Sequence, residues 1–75
     1  MAELPRAGIR RLMKTAGAER MSKDAVISTR DLAEQFCKKL SDVAVTMADH
    51  AGRKTVSKED VKKAAAIMQE SKGYF

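Results

Sequence analysis

The apolar residues of this chain recur with the spacing of helices. Between Pro5 and Gly17, Ile9, Leu12, Met13 and Ala16 follow the i, i+3, i+4, i+7 rule, so residues 5–16 are predicted to form a short amphipathic helix. From Ser22 to Ala51, the positions Ala25, Thr29, Leu32, Phe36, Leu40, Val43 and Met47 step by three or four, a mean of about 3.7 residues per turn. A second row, Val26, Ala33, Cys37, Ala44, Ala48 and Ala51, runs beside the first and widens the apolar arc, and Gly52 is placed to end the helix in a left-handed conformation. A third helix, residues 57–70, opens with Ser57 as N-cap and Asp60 three residues on, with Val56 and Val61 spaced as a hydrophobic staple and Val61, Ala64, Ala65 and Met68 as its buried row. No strand pattern interrupts this order.

The proportions carry a consequence. A helix over residues 22–51 is on the order of 40 Å long, and each flanking helix can cover roughly half of it. So wide an arc on so long a rod needs a second copy, crossing antiparallel, with Leu32, Phe36, Leu40 and Val43 packed between subunits. A plain coiled coil fits less well, because its seam repeats every 3.5 residues and the caps break this chain into three pieces. The fold class is therefore all-α, a single domain over residues 1–75 with a short tail at 71–75. At 75 residues one core is marginal, the single Cys37 allows no intrachain disulfide, and no Cys/His grouping has zinc spacing, which leaves association as the remaining source of stability.

Charge adds a partner to this picture. The net charge is +5, but residues 1–23 carry +4 (Arg6, Arg10, Arg11, Lys14, Arg20 and Lys23 against Glu3 and Glu19) and residues 51–58 carry +3 (Arg53, Lys54 and Lys58). The stretch between them is negative. Two basic blocks about 30 residues apart point to a patterned polyanion site, although each base taken singly reads as a solvated surface charge.

Other classes lose ground on composition. One His, one Cys, no glycine-rich phosphate loop and no clustered acids leave nothing to act as base, nucleophile or metal cage, so the chain is not expected to be an enzyme or to hold a cofactor or small-molecule substrate. The N-terminus has no apolar core of signal-peptide length, no run spans a bilayer, and the arc is rich in Ala without Trp, so no membrane partner is expected and a cytoplasmic location with a reduced Cys37 follows.

The stretches LPRAGIRRLMKTAGAERMS (residues 4–22) and HAGRKTVSKED (residues 50–60), joined by one long helix, closely resemble the archaeal-type histones, tail-less relatives of the eukaryotic core histones. The resemblance covers Leu4 to about Met68. It implies a histone fold forming an intertwined handshake dimer, with itself or a paralogous histone as partner, that pairs into tetramers or longer stacks. It further implies wrapping of double-stranded DNA, on the chromosome, without base-specific reading. By resemblance Arg11 enters the minor groove, Lys14, Arg20, Lys54 and Thr55 contact phosphates, Arg10, Arg53 and the Ser22 helix start complete the DNA-facing set, and the helix start at Ser57 also suits a phosphate. Arg53 and Asp60 fit the family's R-x-T-x-x-x-x-D pattern of a loop-bracing pair, while Asp60 also reads locally as a capping-box acid. Met47, His50 and Asp60 correspond to the dimer-to-dimer contact. The chain departs from the family at Arg6, Gly8, Cys37 and Met47, and its SKGYF tail runs past the expected end. Asp31, Lys38, Glu59 and Lys62 stand where stacked dimers of the family place charges. The alternative is a histone-fold component of a transcription or replication complex, acting mainly by heterodimerisation.

Overall fold

The computed structural model describes residues 2–70, so expectations for the tail at residues 71–75 lie outside the described residues. The element order is α1 (Arg6–Thr15), α2 (Lys23–His50) and α3 (Lys58–Glu70), with no strand among the described residues. Each helix begins one residue inside its expected start, because Pro5, Ser22 and Ser57 are half-in caps rather than helical residues. α2 has the length of a membrane span, but no described helix is both long and apolar enough to cross a membrane.

α1 and α2 stop in the same way. Gly17 has φ +107° and Gly52 φ +71°, a region in which a Cβ meets the neighbouring carbonyl. That turn lets the Ala18 N–H reach the Met13 carbonyl at 3.1 Å and the Gly17 N–H the Lys14 carbonyl at 2.9 Å. After α2 the Arg53 N–H likewise reaches Ala48 and the Gly52 N–H reaches Asp49, both at 2.9 Å. These are Schellman stops, which satisfy carbonyls the helix leaves open. Starts are chemical too: the Ser22 hydroxyl accepts the Ala25 N–H at 3.0 Å, and Ser57 accepts the Asp60 N–H at 3.3 Å.

The chain forms two compact units, dividing α2 between Phe36 and Cys37. In the first, Ile9 of α1 and Val26 of α2 are buried, with Met13 and Ala33 half-buried. In the second, Ala44 and Ala48 of α2 and Ala64 and Met68 of α3 form the core, together with Asp60. All the buried residues of α2 thus come from its second apolar row. The first row, about 80° away around the helix at ~100° per residue, is covered only in part: Leu32 is 51% exposed, while Phe36, Leu40, Val43 and Met47 are half-buried.

Four expectations of burial are corrected. Leu12 is 68% exposed and Ala16 is exposed, since burial on α1 centres on Ile9 and Met13 and Leu12 lies about 80° off that line. Val56 and Val61 are 40% and 39% exposed, so the staple positions are not covered, because burial on α3 follows Asp60, Ala64 and Met68. A Cβ at Gly52 would meet open space but be strained at φ +71°, so Gly52→Ala should cost about 1–2 kcal/mol in urea unfolding. Gly8→Ala, whose Cβ would meet Pro5 Cγ and Arg11 Nη2 at the ordinary distances of 3.8 and 3.9 Å, should stabilise by up to about 1 kcal/mol through helix propensity.

Candidate nucleic-acid interface

The second loop, residues 51–57, is tied down at both ends. It leaves α2 through the Gly52 stop and enters α3 through Ser57, and between them Arg53 folds onto Asp60. Arg53 Nη1 donates to Asp60 Oδ2 at 2.7 Å and Nη2 to Oδ1 at 2.8 Å, a two-pronged guanidinium to carboxylate pair, and Nη1 also donates to the Thr55 carbonyl at 3.1 Å. Oδ2 further accepts the Ser57 N–H at 2.8 Å and the Ser57 hydroxyl at 3.0 Å. One carboxylate therefore serves as both brace and capping-box acid, the two roles the sequence left open. Asp60 is 3% exposed, and a lone buried carboxylate would be costly; the Arg53 hydrogen bonds first, then the Ser57 N–H, outweigh burial and hold its carboxyl well below the usual range. The same contact raises Arg53 above its ordinary value.

Lys54 and Thr55 sit exposed on this short, anchored segment. Arg6, Arg10, Arg11 and Lys14 are exposed along α1, with Arg20 in the first loop and Lys23 opening α2. Among the described residues the ion pairs are Arg30–Asp31 at 3.2 Å, Lys38–Asp42 at 3.5 Å and Arg53–Asp60. None involves the bases of α1, the first loop or Lys54. Arg6, Arg10 and Lys14 repeat at i, i+4 with no acid beside them, a spacing that disfavours the isolated helix by a few tenths of a kcal/mol per pair.

The remaining expected site residues fall as follows. Ser22 is exposed, with its hydroxyl engaged in capping α2. Met47 is half-buried and His50 exposed in the last turns of α2, and among the described residues the His50 ring makes no hydrogen bond or ion pair. The Asp60 carboxylate accepts four hydrogen bonds, from Arg53 and Ser57, with Oδ1 accepting from Arg53.

One polar contact has no counterpart among the sequence expectations. Glu34 Oε2 accepts the backbone N–H groups of Glu3 and Leu4, the second at 2.6 Å, and the Leu4 bond leads the causes that lower the Glu34 carboxyl from its ordinary value. A carboxylate binding backbone 30 residues away leaves no mark in helical periodicity.

Comparison with known proteins extends over most of the chain. The family described as histone-like transcription factor (CBF/NF-Y) and archaeal histone matches residues 2–65. One of the subunits of the archaeal histone HAN1 of Thermococcus zilligii is 48% identical over 62 residues, 83% of this chain and 92% of that protein. Probable archaeal histone 3 of Methanocaldococcus jannaschii is 44% identical over 64 residues, 85% and 96% of the two chains.

The Asp60 brace predicts a pH signature. Because folding lowers its pKa, the stabilisation is complete above the unfolded value near 4 and is lost as pH falls toward the folded value. Asp60→Asn should unfold more easily than the native protein at pH 6–8, and the two midpoints should converge as pH falls below about 4. Parallel curves down to pH 2 would show that the carboxylate charge contributes nothing.

Proposed function

Because the chain belongs to the family of histone-like transcription factors (CBF/NF-Y) and archaeal histones, we propose that it packages double-stranded DNA as a dimer, wrapping it without reading base sequence. The observation that carries this reading is the set of exposed bases, Arg6, Arg10, Arg11 and Lys14 on α1, Arg20 in the first loop and Lys54 in the second, that pair with no acid among the described residues. In the proposed handshake two α2 helices cross antiparallel, and Leu32, Phe36, Leu40 and Val43 of each meet the other. The first loop of one chain then lies beside the second loop of its partner, so the two basic blocks join at each end of the dimer. Arg11 enters the minor groove, Arg10, Lys14, Arg20, Lys54 and Thr55 meet phosphates, and the amides following Ser22 add a helix N-terminus. Arg53 acts through the loop it braces.

Dimers join further through Met47 and His50 at the end of α2. Asp60 of a neighbouring dimer is the expected acceptor for the His50 ring, although its carboxylate is 3% exposed and already takes four hydrogen bonds from Arg53 and Ser57. The partner chain is a second copy or a paralogous histone, and the site of action is the chromosome.

Two outcomes test the reading. Leu32→Lys on a surface that stays exposed would change stability within about 0.5 kcal/mol; in the proposed dimer it buries an unpaired charge, so sedimentation and circular dichroism at micromolar concentration should show loss of the dimer and of helix. A variant that remains folded and unchanged in mass would remove the handshake.

Bound to random-sequence DNA, the native protein should give a nuclease ladder, and its affinity should fall roughly 10³ to 10⁵ between 50 and 200 mM salt if about six to ten phosphates are neutralised. His50→Lys should bind a short duplex as before but protect only a single dimer's footprint. A strong preference for one short site, or binding only in the presence of another protein chain, would favour the transcription-complex reading.

A further inference from the structure

α1 is the helix that its own residues support least. Its N-cap is Pro5, which offers no side-chain acceptor, its first turn holds no acid, and Arg6 places positive charge at the positive end of the helix dipole. α2 and α3 instead open on Ser22 and Ser57, with Asp24, and with Glu59 and Asp60, in their first turns. A single buried residue, Ile9, anchors α1.

The missing acid is supplied from α2. Glu34 Oε2 takes the successive backbone N–H groups of Glu3 and Leu4, at 2.6 Å for Leu4, and so sets a carboxylate beside the residues that lead into Pro5. Hydrogen bonds to an ionised acceptor are among the strong ones. Leu4 and Pro5, held this way, line a groove with Gly8, Ile9 and Leu12 of α1 and Ala33 of α2, the residue next to Glu34. The chain before α1 is thereby fixed to the helix that α1 lies on.

We propose that Glu34 is a positioning residue for the DNA face: by clasping the Glu3 and Leu4 amides it sets the direction of α1, and with it where Arg6, Arg10, Arg11 and Lys14 stand toward a phosphate backbone. The inference rests on the DNA-packaging reading, since Glu34 acts through α1 and not on the nucleic acid. It also makes a claim of opposite sign to simple electrostatics. As a bare negative charge near a basic helix, Glu34 would weaken DNA binding and its removal would tighten it; as a clasp, its removal loosens binding although the net charge rises.

The test uses the full chain with Glu34→Ala and Glu34→Gln, each checked as a dimer by sedimentation, with affinity for a random-sequence duplex measured from 50 to 200 mM salt and amide hydrogen exchange followed on the free proteins. Glu34→Ala should bind about tenfold more weakly, with a salt slope smaller by roughly one or two phosphates per dimer, and exchange along α1 should rise while α3 is unchanged. Glu34→Gln keeps an oxygen that can accept both N–H groups and should stay within about threefold of the native affinity. Where Glu34→Ala does not fold, Glu34→Asp, which withdraws the carboxylate by one methylene, should show the same losses. Equal or tighter DNA binding by Glu34→Ala, or unchanged α1 exchange, would overturn the proposal. If the native protein itself shows no salt-dependent duplex binding, the packaging reading fails, and the exchange comparison still decides whether Glu34 holds α1.

Discussion

α2 carries apolar residues on two adjoining rows along 28 residues, and the chain's own short helices bury only one of them. α1 has 10 residues and α3 has 13, enough to lie against Val26 or against Ala44 and Ala48 but not to reach round to Leu32. The core this leaves is built from small side chains: three of the six buried apolar residues among those described are alanines. Burial of that size offsets little of the chain entropy lost on folding. The row through Leu32, Phe36, Leu40 and Val43 is only partly covered by the chain's own helices, with Leu32 51% exposed, and the proposed dimer would complete its burial.

Against so thin a core, the second loop is unusually well determined. Asp60 is the one buried polar residue among those described, and its carboxylate joins the loop, through Arg53, to the first turn of α3, through Ser57. A loop fixed by backbone at Gly52 and by side chains at Arg53 and Asp60 presents Lys54 and Thr55 in one geometry. In the proposed complex such preorganisation would lower the entropy lost on binding DNA.

The distribution of charge separates the structural ion pairs from the others. Pairs such as Lys38–Asp42 are exposed i, i+4 contacts of small worth, and they sit on α2. Among the described residues the bases of α1 have no such partners, and their i, i+4 repulsion weakens the helix that carries them. Glu34 answers that weakness without neutralising the bases, because its charge is spent on the backbone N–H groups before α1 and not on the guanidinium groups of Arg6, Arg10 or Arg11.

Much of this was legible in the residues. Helix starts and stops came through to within a residue because caps are local chemistry: Ser22, Ser57, Gly17 and Gly52 act on backbone groups a few positions away. The pairing of Arg53 with Asp60 was suggested by a motif spanning eight residues, and the two basic blocks could be read by counting. The sequence could also show that α2 has two apolar rows, from its period alone. It could not show which row the chain keeps for itself, because that depends on the side from which α1 and α3 approach; Leu12 and Val61 were expected inside and stand on the open flanks of their helices. Nor could it show Glu34 reaching back to Glu3 and Leu4. Periodicity and capping act over one or two turns, whereas this contact joins residues 30 and 31 apart, and only the packing of α1 against α2 brings that carboxylate to that stretch of backbone.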